Sequence, residues 1–128
     1  MNEFNVGQEI PRLTKTAFMP IKPDARNAIH TDDYAKKFGM RGALIGGSTL
    51  LSYALEMLFK TFGKNWFCHG RISTSFIGGG AINGDVLTAR GVVTAVEPEQ
   101  TGNRLMLDIW LENQKQEKIL VGHASCII

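Results

Sequence analysis

At 128 residues, with 44% hydrophobic and 20% charged side chains, the chain holds enough apolar material for one core but not for two comfortable domains. It reads as a single domain over residues 1–128, far from the polar, highly charged composition of disordered chains. Fourteen basic and twelve acidic residues leave a net charge of +2, and their scatter argues against the concentrated basic surface of a nucleic-acid or anionic-membrane binder.

The first residues, Met1 to Gly7, carry an early acidic side chain and no apolar run, which speaks against a secretory signal and for a cytoplasmic protein. Asn5 to Lys22 alternates loosely and is broken by Pro11 and Pro20, so at most one edge strand is expected there. Thr31 followed by Asp32 and Asp33 has the form of an N-cap with first-turn acids, and Gly39 marks a stop, giving a short helix over Asp32 to Phe38.

A stronger helix follows. Leu50, Leu51, Ala54, Leu55, Leu58, Phe59 and Phe62 recur at helical spacing, with Tyr53 and Met57 widening the stripe, so Ser48 to Phe62 is expected to be a helix buried on nearly every side. Ser48 is the expected cap and Gly63 the end. The longest uncharged stretch, Gly42 to Leu55, is shorter than the roughly 20 residues a membrane span needs, so no membrane partner is expected.

The rest reads as strands over Arg71 to Ile77, Asp85 to Val96, Arg104 to Glu112 and Lys118 to Ile128, with turns at Gly78-Gly79-Gly80, Glu97-Pro98 and Asn113 to Gln116. Short connections imply antiparallel pairing. In the third of these strands Leu105, Leu107, Ile109 and Leu111 share one face, with Met106, Asp108 and Trp110 on the other. An apolar helix with a long antiparallel sheet is an α+β arrangement, and its simplest closed form wraps the sheet around the central buried helix as a hot-dog fold. The fold's open sheet edge favours a homodimer.

Cys68 and Cys126 lack metal-ligand or redox spacing and read as small core hydrophobes; no metal or cofactor is expected. Of the three histidines, His69 and His123 read as strand-end or surface residues. His30 differs, lying in the irregular segment Pro23 to His30 just before a helix cap, where loops commonly present reactive groups. A neutral imidazole there can take a proton from water, and a neighbouring carboxylate such as Asp24 can orient it or share the proton; Asp32 and Asp33 more simply favour the helix N-terminus. Gly46 and Gly47 open the apolar helix, where unpaired N–H groups at the positive end of its dipole can hold a carbonyl oxygen that gains negative charge. The plainer reading of the pair is a tight turn or close packing.

Asn27 to Gly39, then Gly46-Gly47 opening an apolar helix, then Gly84-Asp85 opening a strand, together resemble the MaoC-like hot-dog family, which includes (R)-specific enoyl-CoA hydratases. The resemblance implies a homodimer with acyl-thioester pockets near its interface, the acyl carrier being coenzyme A or an acyl carrier protein. It implies water addition to an enoyl thioester, or the reverse dehydration, with His30 in the place of the catalytic histidine, Asn27 as the loop-shaping asparagine and Gly47 as the oxyanion glycine. The pattern is departed from in four places. Ala25 stands where the catalytic aspartate would be, leaving Asp24 one residue early; Ala28 replaces a proline, Gly46 a histidine, and Gly78-Gly79-Gly80 a proline-containing loop. A thioesterase and a non-catalytic acyl-thioester-binding subunit are the alternatives.

Overall fold

The structure is a computed structural model that describes residues 4–19, 32–37 and 42–128. In chain order its elements are β1 (Leu13–Thr16), α1 (Asp32–Lys37), α2 (Gly47–Phe62), α3 (Lys64–His69), β2 (Arg71–Phe76), β3 (Val86–Glu99), β4 (Gly102–Glu112) and β5 (Lys118–Ile127). The strands form one antiparallel five-stranded sheet in the order β1-β3-β4-β5-β2. The α+β hot-dog expectation is met: α2 packs on the inner face of the sheet, against β1, β3, β4 and β5.

The period of two in β4 divides the sheet as expected. Leu105, Leu107, Ile109 and Leu111 are buried under α2, while Asp108 is exposed and Met106 and Trp110 are half-covered on the outer face. Leu87, Ala89, Val93, Leu120 and Ala124 complete the inner layer from β3 and β5, and Leu50, Ala54, Met57, Leu58 and Phe62 answer from the helix. Those helical positions form one stripe at spacings of three and four. The expectation of a helix covered on nearly every side is therefore corrected: Ser52, Phe59 and Lys60 are exposed, and Phe59 packs tilted on Phe67 of α3 with ring centroids 4.8 Å apart.

Other boundaries shift for identifiable reasons. Gly46, not Ser48, is the N-cap of α2, with extended backbone (φ −61°, ψ 145°) and no side-chain cap bond; Ser48 lies within the first turn. The turn expected at Glu97-Pro98 is strand, because β3 pairs with β4 to its end, Pro98 facing Asn103, while β1 and the segment before it reach no further along β3 than Val93. Among the described residues no strand on that free side of β3 needs the N–H that proline lacks. The chain instead reverses between Glu99 and Gly102, and Gly102 adopts φ 149°. The helix α3 was not expected, and it carries Cys68 to the surface; Cys126 is buried as foreseen, and desolvation pushes its thiol pKa up.

Along the edge of β3, the segment before β1 is tied to it by backbone bonds from Gly7 to Val93, Val93 to Gln8 and Ile10 to Gly91. Arg90 reinforces the tie, donating to Glu9 at 2.6 and 3.2 Å and to Glu112 at 3.2 Å. Arg90 also lies over the Trp110 ring, 5.0 Å from its centroid, while the Trp110 indole N–H donates to Glu112 at 2.8 Å. Hydrogen bonds from Arg90 and Arg12 lower the Glu9 carboxyl from its usual 4.5 to about 2. Among the described residues no helix is long and apolar enough to cross a membrane.

Candidate functional site

Three segments meet around the start of α2. Residues 42–46 lead into the helix and run beside the connection from β2 to β3: Leu44 bridges Ile82, and the Ile45 amide donates to the Ala81 carbonyl at 2.7 Å. The Asp32 carboxylate accepts the Ala43 N–H at 2.8 Å, so α1 is tied to the same segment. That tie gives Asp32 a concrete local role alongside its place in the first turn of α1.

The β2–β3 connection is itself braced by Gly84-Asp85. Gly84 takes φ 93°, a left-handed conformation that costs glycine little, and the buried Asp85 carboxylate accepts the Ile82 N–H at 3.0 Å and the Gln114 side-chain amide at 3.1 Å. The pair thus holds the loop that supports the helix entry.

At the entry, the amides of Thr49 and Leu50 donate to the Gly46 carbonyl at 3.1 and 3.2 Å. The amides of Gly47 and Ser48 have no hydrogen-bond partner among the described residues, and no side chain caps them. Two free donors at the positive end of a 16-residue helix are suited to an oxygen that carries or develops negative charge.

The two glycines differ in what demands them. At Gly46 the backbone is ordinary and a side chain would meet nothing within 4 Å. At Gly47 a Cβ would stand 3.0 to 3.5 Å from three ring atoms of Phe76, the last residue of β2. Close packing, the plainer reading of the pair, therefore applies to Gly47 and not to Gly46. Phe76 was not singled out in the sequence, although its place in the β2 alternation with Ile72 and Thr74 puts it on the inner face.

Asp24, Asn27 and His30 lie outside the described residues. His69 and His123 take surface positions, as read: the His69 carbonyl accepts from Arg104 at 3.4 Å, and the exposed His123 ring nitrogen Nδ1 lies 2.9 Å from Asp108. Two shallow hollows of about 340 Å³ each lie elsewhere, one between Gly78-Gly79-Gly80 and the β4–β5 turn, the other on the outer sheet face beside Trp110 and His123. Neither is lined by Gly46, Gly47 or Phe76. Among the described residues no three His, Cys, Asp or Glu side chains stand together as a metal site.

No family model matches the sequence, and no curated protein does. Solved structures do match the fold. An (R)-hydratase from A. caviae involved in PHA biosynthesis superposes with a TM-score of 0.76 at 20% identity, covering 100% of this chain and 99% of that one. A MaoC-like dehydratase from Rhodospirillum rubrum gives 0.75 at 13% identity, over 98% and 92% of the two chains. A thioesterase-superfamily member from Thermus thermophilus gives 0.63 at 11% identity, over 99% and 85%. The chain has the hot-dog fold, and the resemblance to MaoC-like proteins seen in the sequence extends to the whole three-dimensional arrangement.

Proposed function

We propose that the protein adds water to an enoyl thioester, or removes it from a 3-hydroxyacyl thioester. The observation that carries this reading is the pair of unpartnered amides at Gly47 and Ser48, at the head of the long helix, in a fold shared end to end with an (R)-hydratase. In this reading the Gly47 N–H donates to the thioester carbonyl oxygen. As hydroxide character develops on water attacking C3, electron density moves through C2 to that oxygen, and the helix terminus stabilises the enolate. His30 takes the proton from water and returns one to C2, with Asp24 as its partner and Asn27 shaping their loop. The acyl carrier is coenzyme A or an acyl carrier protein.

The same reading includes a homodimer. Among the described residues the edge strand β2 pairs only with β5, and Arg71, Ser73, Ser75 and Phe76 along it are exposed; antiparallel pairing of two such edges would satisfy their outward backbone groups. Light scattering at micromolar concentration should return twice the chain mass, and a monomer would remove this part of the proposal.

Thioester hydrolysis is the second reading, supported by the thioesterase-superfamily likeness. One assay separates the two: a panel of enoyl-, 3-hydroxyacyl- and saturated acyl-CoA esters, followed at once by double-bond absorbance and free-thiol release. Absorbance change without thiol supports the hydro-lyase, whereas thiol release supports the esterase. His30→Ala should lower hydration about a hundredfold or more, and Asp24→Asn nearly as much if the two act as a unit. Neither signal with any ester would leave a non-catalytic binding subunit.

A further inference from the structure

We propose that the Phe76 ring selects which acyl groups fit beside the Gly47 amide; the inference rests on the thioester reading above and assigns it a specificity residue. β2 turns Ile72, Thr74 and Phe76 toward the inner face, yet their surroundings differ along the strand. Ile72 packs against the core, opposite the buried Ala124, while Phe76 is 54% exposed although it pairs with the fully buried Leu120. The last inner-face residue of β2 is thus exposed where it passes the start of α2, and its aromatic ring lies over the first helical residue.

Its distance from the helix gives the ring a definite consequence. Phe76 Cζ, Cε2 and Cε1 lie 3.0, 3.2 and 3.5 Å from the point where a Gly47 Cβ would stand. A carbonyl oxygen accepting the Gly47 N–H at about 2.9 Å brings its C2 and C3 into the neighbourhood of this ring, and the volume the ring fills is denied to the acyl chain. Phe76 therefore favours short, unbranched acyl groups. Half-exposed and at a strand end, it can be replaced at little cost to the core.

The test compares four- and eight-carbon trans-2-enoyl-CoA as substrates of the wild type, Phe76→Ala and Phe76→Trp, with light scattering on each. Phe76→Ala should raise the eight-to-four-carbon ratio of kcat/KM by about tenfold or more, the range a few methylenes command in an apolar site, and Phe76→Trp should lower it. Equal changes on both substrates, or a loss of oligomeric state that accounts for the change, would overturn the proposal. Where the wild type turns over neither ester, the same ratio is read from calorimetric affinities for butanoyl- and octanoyl-CoA. A shifted affinity ratio then upholds Phe76 while the hydro-lyase reading fails, whereas unshifted affinities or no binding reject Phe76 as well.

Discussion

The N-terminal end of α2 is left without a cap bond, whereas its C-terminal end is turned back on itself by several hydrogen bonds. At the C-terminus the Gly63 N–H returns to the Phe59 carbonyl at 2.7 Å, Thr61 Oγ1 donates to the Met57 carbonyl at 2.9 Å, and the Trp66 amide donates to the Gly63 carbonyl at 3.0 Å. The chain enters α3 at once, burying Trp66. At the N-terminus Gly46 offers no cap, and the amides of Gly47 and Ser48 stay unpartnered among the described residues. A helix end without a side-chain cap leaves its first amides to water or, in the function proposed above, to the thioester oxygen.

The sharpest way to break this contrast is Gly47→Pro, which deletes the amide hydrogen itself. Proline is well tolerated at the first helical position, and the extended Gly46 backbone (ψ 145°) is the conformation that a residue before proline prefers. The helix should therefore persist while turnover falls about a hundredfold to a thousandfold, the usual effect of losing one oxyanion donor. Circular dichroism and hydration rates check the two halves, with Gly47→Ala, which keeps the amide but puts the same Cβ against Phe76, as the control; a folded proline variant no slower than the alanine variant would remove the oxyanion role.

Gly63→Ala tests the closed end. Gly63 has φ 59° and ψ −132°, and a side chain there would meet nothing within 4 Å, so its cost is purely conformational, about 1 to 3 kcal/mol. Thermal or urea unfolding should register that loss while kcat stays at the wild-type value. The opposite pattern, full stability with lost turnover, would mean that the two ends are not divided between structure and chemistry.

A smaller effect lies on the outer sheet face, away from both helix ends. The Glu9 carboxyl has a folded pKa of about 2 against an ordinary 4.5, depressed by its hydrogen bonds to Arg90 and Arg12. Its contribution is therefore complete above pH 4.5 and is lost as pH falls toward 2. For a partly exposed pair that contribution is about 1 kcal/mol or less. Between pH 5 and 2 the Tm of the wild type should fall more steeply than that of Glu9→Gln, and parallel curves would show that the clamp adds no stability.

What the sequence made legible follows from periodicity. The apolar stripe of α2 and the alternation of Leu105 to Leu111 are local patterns, and they carried the helix, the strands and the fold class. The start of α2 beside Gly46-Gly47 was legible too, because a helix start is a local event. The closeness of Phe76 to Gly47 was not, since 29 positions separate them and only the packing of the start of α2 on the end of β2 brings them together. α3 escaped because six residues, Lys64–His69, are too few for a periodic signal, and Pro98 misled because its tolerance depends on β3 having a free side there among the described residues. The roles of His30, Asp24 and Asn27 rest on the resemblance and on the mutants proposed above.

The smallest expected effect sharpens the comparison most directly. Gly46→Asp would give the open end the cap it lacks: the backbone is already in the extended conformation of an N-cap, and nothing within 4 Å opposes a side chain there. Its carboxylate would accept from the first-turn amides and complement the helix dipole, so stability should rise, by only a few tenths of a kcal/mol because glycine is itself a fair N-cap residue. The same carboxylate would occupy or repel the place of the developing oxyanion, so turnover should drop while Tm rises. Denaturant titration and hydration rates on one preparation measure both. Opposite signs are what an N-terminus kept uncapped for a ligand requires, whereas a variant gaining stability at undiminished turnover would show that the missing cap has nothing to do with chemistry.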